Sequence, residues 1–293
     1  MDTRQLEYFV AVAEELNFTR AAGRLFTVQS TVSASIRTLE ADLGTPLFDR
    51  SSKRVALTAA GEALLPEAIA AIEAIDRVRS AAALTRVGIR GRLRVGIFIN
   101  LEYLDLPGVF GAFHTDHPLV DLQLAASPSG STGLADDVRR GRIDIAFMGL
   151  APEDLAGFQV QQLAISPMVV ILPTNHPLAQ RTALGLAEIA RERFVDSPVG
   201  FGNRIAVERG FAAIGLARSV PTEVADLGQI PQFVAADLGI AIVPELTLRE
   251  TPGVVAIPLA PPGLHWQLSA ICRPTPSPAV SALLQLLAER FGG

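Results

Sequence analysis

The stretch from Phe18 to Leu57 constrains the fold of this chain more than any other. A helix is expected to begin just after Thr27, which is placed to cap it, and to end where Gly44 and then Pro46 interrupt the pattern. At about 100° per residue, Val32, Ile36, Leu39 and Leu43 fall on one face, and Ser30, Ser33, Ala34 and Arg37 lie in a narrow arc opposite. Upstream, Leu6, Phe9, Val10, Ala13 and Leu16 make a second apolar stripe. Asn17 or Thr19 can cap a short helix from Thr19 to Phe26, in which Ala21 and Ala22 would let two helices cross closely. A turn of Thr27, Val28 and Gln29 joins it to the longer helix. Downstream, Leu47–Arg50 and Arg54–Leu57 can pair as a hairpin around Ser51, Ser52 and Lys53. One amphipathic helix alone usually covers a protein surface, but this order of elements spells a winged helix-turn-helix.

The charge supports that reading. Between Thr19 and Leu57 the basic side chains Arg20, Arg24, Arg37, Arg50, Lys53 and Arg54 outnumber the acidic Glu40, Asp42 and Asp49, in a chain of net charge −5. A local basic excess on an acidic protein points to phosphate, with strongly salt-dependent binding. A helix entering a major groove needs short side chains that let it approach the base edges. Gln29, Ser30, Ser33 and Ala34 are therefore expected against bases, with Thr19, Arg20, Arg37, Arg50, Lys53 and Arg54 holding phosphates or the minor groove.

The runs Leu6–Glu14, Phe18–Ala22, Ser33–Glu40, Pro46–Arg50 and Leu57–Leu65 resemble the LysR-type transcriptional regulators. The resemblance extends over essentially the whole chain. It departs at Ser30 and Ala34, where the family often has proline and arginine, so the base preference need not follow the family's.

From Thr58 to about Arg86 the sequence is alanine-rich, with Leu65, Ile69, Ile72 and Ile75 spaced by three or four and Pro66 near the start. Such a stripe, with no domain of its own to cover it, reads as a dimerising linker helix. The resemblance agrees, and two-fold pairing would suit a partly palindromic promoter site on double-stranded DNA. Beyond Gly91, short apolar runs alternate with helical segments, as in an α/β sheet.

The expected fold is thus α/β and multidomain. A winged helix-turn-helix spans 1–58, a linker helix and hinge 59–90, and a two-lobed effector domain 91–293. The resemblance implies a periplasmic-binding-protein-like layout, with lobe one at 91–163 and 268–293, lobe two at 164–267, and a ligand cleft between them. Small polar turns precede several helices, and helix N-termini at strand ends suit an anionic effector. The candidate effector contacts are Asn100, Ser129, Ser131, Thr132, Val199, Phe201 and Asp226, with Arg204 either balancing an anion or facing solvent.

No enzyme motif survives inspection. Gly200-Phe201-Gly202 starts like a dinucleotide fingerprint, but Ile205 replaces its third glycine. His114 and His117 lack a third metal ligand. The single cysteine, Cys272, excludes an internal disulfide and reads as a small buried strand residue. No cofactor and no metal are expected. With no apolar run of about eighteen residues and no secretory leader, a cytoplasmic location is expected, without a membrane partner. The expected partners are promoter DNA, a small-molecule effector, further copies of the chain as a dimer or tetramer, and RNA polymerase. The competing reading is a small-molecule-binding or transport component that uses the two lobes without DNA regulation.

Overall fold

The computed structural model describes residues 1–49, 55–83, 88–97 and 104–291. The chain divides into two compact units, one built on residues 1–89 and the other on 90–293 apart from 139–141.

In the first unit, α1 (Thr3–Glu15) starts at a reciprocal cap: the Asp2 carboxylate accepts from Gln5 N at 2.8 Å, and Gln5 Oε1 accepts from Asp2 N at 2.7 Å. Asn17 Oδ1 caps α2 (Phe18–Arg24), accepting from Thr19 N and Arg20 N, both at 2.9 Å. The next helix, α3 (Gln29–Leu43), corrects the expected cap. Val28 stands at its N-cap without a side-chain hydrogen bond, while Thr27 N donates to Ala22 O and closes the end of α2 instead.

Val32, Ile36 and Leu39 are fully buried in one cluster with Phe9, Val12, Ala21 and Ala22. Leu43 is exposed, contrary to the helical count. It lies on the same face, one turn beyond Leu39, where that cluster has ended.

A small antiparallel pair follows, β1 (Phe48–Asp49) and β2 (Ala56–Leu57), with Phe48 opposite Leu57. Glu40 anchors its first strand to α3, accepting from Leu47 N at 2.9 Å and Phe48 N at 3.3 Å. The Phe48 ring rests on Phe9 and Phe18, at centroid distances of 5.5 and 5.7 Å. Thr58 then starts α4 (Ala59–Ala83): its hydroxyl donates to Pro46 O at 2.8 Å and accepts from Gly61 N at 3.1 Å.

The expectation that this long helix has no domain of its own to cover its stripe holds only for its later part. Leu65, Ala68 and Ile69 are buried in the first unit's core, and Ile72 packs against it, because α1 presents Leu6, Phe9 and Ala13 to the same cluster. Val78, further along, is exposed.

The second unit is two-lobed. Its first lobe begins with β3 (Gly91–Ile97), α5 (Leu106–Asp116), β4 (Val120–Ala126), α6 (Gly130–Arg139) and β5 (Ile145–Met148). Strand β3 lies parallel to both β4 and β5. Phe158–Leu163 and Met168–Leu172 read as separate strands in the sequence, but they form one strand, β6 (Gln159–Pro173). Pro167 does not break it, because the neighbouring Met168 N makes the ladder bond there, donating to Leu264 O at 2.8 Å, so no N–H is required of Pro167 on that side.

The second lobe adds α7 (Leu186–Ile189), β7 (Arg193–Asp196), α8 (Gly202–Ala213), β8 (Ser219–Glu223), α9 (Ile230–Ala235), β9 (Ala241–Pro244) and β10 (Val254–Pro258). The latter half of β6 runs antiparallel to both β9 and β10, and β7 pairs parallel with β8. Pro231 sits in the first turn of α9, where its missing N–H costs nothing.

The chain returns through β11 (His265–Cys272), which pairs with β5 and the early part of β6, and closes with α10 (Pro278–Phe291). Helix α10 packs on α5, β3 and β6, so the last helix belongs to the first lobe. Cys272 is buried on β11, and burial pushes its thiol up to about 11, so it stays a protonated packing group. No helix among the described residues is long and apolar enough to cross a membrane.

The start of α4 yields a sharp expectation. A Cβ added to Gly61 would stand 2.2 Å from Leu47 O and 2.8 Å from Leu57 Cδ2. Alanine gains up to about 1 kcal/mol in helix propensity, whereas overpacking against backbone costs ~1–3 kcal/mol. Gly61→Ala should therefore lower the stability of the first unit, read as a drop in its urea midpoint by circular dichroism; an unchanged or raised midpoint would refute the close approach.

Candidate nucleic-acid interface and ligand cleft

Burial of Val32, Ile36 and Leu39 turns the opposite side of α3 outward. Gln29, Ser30, Ala34 and Arg37 are exposed there and Ser33 is half-buried. Gln29 Nε2 donates to Ser33 Oγ at 3.3 Å, one helical turn away, so these polar groups already share one orientation. Arg37 has no carboxylate partner among the described residues. Thr19 and Arg20 are exposed on α2, but Arg20 is engaged with Glu15: its Nε lies 3.2 Å from the carboxylate, and its Nη2 donates to the Glu15 carbonyl. Arg24, the other cation of α2, lies 2.5 Å from Glu14. Arg50, Lys53 and Arg54 lie outside the described residues.

In the second unit the two candidate loops meet across the lobes. Ser129 and Thr132 are exposed and Ser131 is buried at the start of α6; Val199 is exposed and Phe201 buried just before α8. Thr132 N donates to Gly200 O at 3.1 Å, and Ser131 Oγ accepts from Gly149 N at 3.3 Å. The approach depends on two glycines with left-handed backbones. A Cβ on Gly130 (φ 59°) would strike the Phe201 ring at 2.6 Å, and one on Gly200 (φ 97°) would lie 2.8 Å from Thr132 Oγ1. Asp226 stands apart in this respect: its carboxylate caps the short turn at Leu227–Gln229, accepting from Gly228 N and Gln229 Nε2, each at 3.0 Å. Asn100 lies outside the described residues.

Arg204 neither faces solvent nor offers a free charge, which corrects both expectations for it. It is buried, donating to Ser197 O at 3.1 Å and pairing with Glu208 and Glu223. Its place at the start of α8 points it back at the loop rather than out of the cleft.

Beneath that loop lies a charge pair that local sequence patterns do not reveal. Asp196, at the end of β7, and Arg218, just before β8, form a nearly fully buried ion pair, 22 residues apart in the chain. The guanidinium stacks over Phe194 at 4.9 Å and Phe211 at 5.7 Å. The other Asp196 oxygen accepts from Ser197 N at 2.6 Å and Asn203 Nδ2 at 3.1 Å, so the carboxylate holds both ends of the loop. Burial pushes the Asp196 carboxyl above the ordinary range, with the Arg218 guanidinium and the Ser197 N–H pulling the other way. Neither partner stands out in the sequence, because the pair forms only through a tertiary contact.

The described residues hold no cluster of three or more histidine, cysteine or acidic side chains fit for a metal ion.

Residues 3–62 match the family described as bacterial regulatory helix-turn-helix protein, lysR family, and residues 86–292 match the LysR substrate binding domain. The chain is 35% identical over 262 residues to the HTH-type transcriptional regulator ShiR of Corynebacterium glutamicum (strain R), covering 88% of each chain. It is 32% identical over 249 residues to the hca operon transcriptional activator HcaR of Escherichia coli (strain K12), covering 83% of this chain and 82% of that one. In fold it is similar to a full-length OxyR variant from Pseudomonas aeruginosa, with a TM-score of 0.78 at 24% identity over 99% of this chain and 94% of that one.

The buried pair generates a pH-dependent expectation. Arg218→Met would leave the Asp196 carboxylate without its counter-charge, at a cost of about 3–5 kcal/mol near neutral pH. A carboxyl whose folded pKa is raised favours the folded state below its unfolded pKa and loses that contribution as pH rises through the folded value. The deficit of Arg218→Met, measured by urea unfolding, should therefore shrink as pH falls from 7 toward 5. A pH-independent deficit would mean that the carboxylate is not what is left stranded.

Proposed function

The chain belongs to the LysR family of bacterial transcriptional regulators, and we propose that it reads promoter DNA with α3 and tunes that binding through a small effector held between its C-terminal lobes. It is a DNA-binding regulator with an effector-binding domain, and its relatives are named as regulators rather than enzymes. The observation that carries the assignment of residues is the orientation of α3: with Val32, Ile36 and Leu39 inside, the short or polar Gln29, Ser30, Ser33 and Ala34 are left for base edges. Arg37 and Thr19 flank them as phosphate contacts. Arg20 would join them by exchanging Glu15 for a phosphate, and Arg50, Lys53 and Arg54 would extend the same role along the hairpin.

The proposed effector contacts are Ser129, Ser131 and Thr132 from one lobe and Val199 and Phe201 from the other, together with Asn100 and Asp226. Support comes from the Thr132–Gly200 hydrogen bond and from the packing of Phe201 on Gly130, which bring the two loops within a ligand's reach. A small anionic effector suits the positive end of the α6 dipole, where it would compete with the Gly200 carbonyl for Thr132 N. Such a ligand regulates only if it favours one lobe closure over another. The consequence would be a changed spacing of DNA-binding dimers, and through it changed DNA bending and contact with RNA polymerase. Dimers forming through the later part of α4, their association into tetramers, a partly palindromic site and a cytoplasmic location complete the reading.

The test uses the full chain and a duplex enriched by it from a random-sequence pool, with binding followed by fluorescence anisotropy across salt concentrations. Arg37→Ala should weaken binding and reduce the slope of log affinity against log salt by about 0.9, the loss of one phosphate contact. An unchanged slope would remove Arg37 from the interface. Enrichment of no sequence by the wild-type chain would sink the DNA-reading assignment of α3.

A further inference from the structure

One residue at the entrance to α3 is unfavourable by both measures that usually shape a turn. Phe26 is 98% exposed, and its backbone sits in the left-handed region at φ 51°. The conformation is forced by the way α2 ends. Phe26 N donates to Gly23 O at 3.2 Å and Thr27 N donates to Ala22 O at 3.0 Å, the paired closing bonds of a helix whose next residue must turn left-handed. Glycine is the residue that fits there, with asparagine second; a bulky aromatic is strained. Leu25, one position earlier, packs against the core, so the core is within the chain's reach and Phe26 is turned away from it. Val28, two positions later, is also 63% exposed and stands at the uncapped start of α3. The turn thus spends two apolar side chains on solvent directly beside Gln29 and Ser30.

We infer that Phe26 is a DNA-contacting residue, laid against the apolar parts of the duplex at the edge of the groove that α3 enters. The inference rests on the proposed placement of α3, since Phe26 is continuous in sequence with the outward face of that helix. Two apolar surfaces exist on a duplex within reach of such a side chain: the deoxyribose rings and the thymine C5-methyl groups, the latter being major-groove features that aromatic side chains recognise. An uncharged contact of this kind would add affinity without adding salt dependence, in contrast to an arginine.

The strained backbone supplies a clean experiment. In the full chain, Phe26→Gly removes the ring and relieves the left-handed strain, so thermal stability should stay level or rise. Affinity for the duplex enriched from a random pool should nevertheless fall by roughly tenfold, as expected for losing partial burial of one aromatic ring. The salt slope should not change, whereas Arg37→Ala should lower both affinity and slope. Phe26→Asn, which also tolerates the left-handed turn, should repeat the loss of affinity and serves if the glycine variant folds poorly. Replacing thymine by deoxyuridine in the duplex separates the two sources. If the wild type loses affinity and Phe26→Gly does not, the ring contacts a methyl group; if neither responds, it contacts deoxyribose. Binding by Phe26→Gly and Phe26→Asn within twofold of the wild type, while Arg37→Ala is weakened, would overturn the inference and leave Phe26 to a protein partner. Failure of the wild type to enrich any duplex would instead defeat the placement of α3, and the inference with it.

Discussion

The packing of one face of α3 against α1 and α2 settles the rest of the first unit. Ala21 and Ala22 are small enough for α2 to cross closely, and Val32, Ile36 and Leu39 fill the contact completely. Once that face is committed, the helical period fixes what remains outside: Ser30, Ala34 and Arg37 have nowhere else to go. The same helix carries Glu40, whose carboxylate holds the first residues of the hairpin through two backbone N–H groups. A single buried stripe therefore orients both the outward face of α3 and the strand pair beside it. Thr58 and Gly61 extend the chain of dependence to α4, whose first turns are seated against Pro46 and Leu47.

The second unit solves a different problem. Its lobes share β6 and β11, so most of the structure is a pair of sheets whose apolar strands bury themselves. The loop before α8 has no such source of order. Phe201 is its one buried large apolar side chain, and polar groups set the rest of its conformation: Asp196 holding Ser197 and Asn203, Arg218 holding Asp196, and Arg204 holding the Ser197 carbonyl. A buried ion pair contributes little net stability, because desolvating both partners offsets most of their attraction. Its effect lies in direction. A carboxylate with fixed donors on both oxygens gives the loop one geometry, where a purely apolar patch would allow several.

The helices of the first unit, the alternation of strands and helices in the first lobe and the outward face of α3 were legible because each is written in a local period that burial enforces. Other features were not. The cap of α3 was misread because Thr27 has the right chemistry for capping but stands one residue too early, while Val28 O accepts the first helical bonds from Thr31 N and Val32 N. Strands β8 and β10 went unnoticed: Ser219–Glu223 contains a proline and little apolar content, and Val254–Pro258 gains strand character only by pairing with β6. The Asp196–Arg218 pair, and the withdrawal of Arg204 from solvent, depend on contacts between distant segments that no local pattern encodes. The turns flagged near Ser129 and Val199 were found by a local rule about helix starts, but their meeting across the lobes is a property of the fold.

Helix α3 itself is sparing in charge, and that has a consequence for how the proposed DNA face would discriminate between sequences. Arg20 and Arg24 are occupied by Glu15 and Glu14, and Ala34 contributes only a methyl group, so α3 itself offers Arg37 as its one cation and Gln29, Ser30 and Ser33 as its polar groups. Gln29 and Ser33 already share a hydrogen bond, and contact with a base must replace that bond with one of equal quality to gain anything. In the proposed placement, short side chains would let the helix sit deep, where close fit to groove width and thymine methyl groups would carry more of the difference between sites than long bidentate contacts. An apolar entrance at Phe26 and Val28 belongs to the same arrangement. A reader built this way trades the strong single-base preference of an arginine for a preference spread over shape and apolar contact, with mismatches costing less each and mattering over more positions.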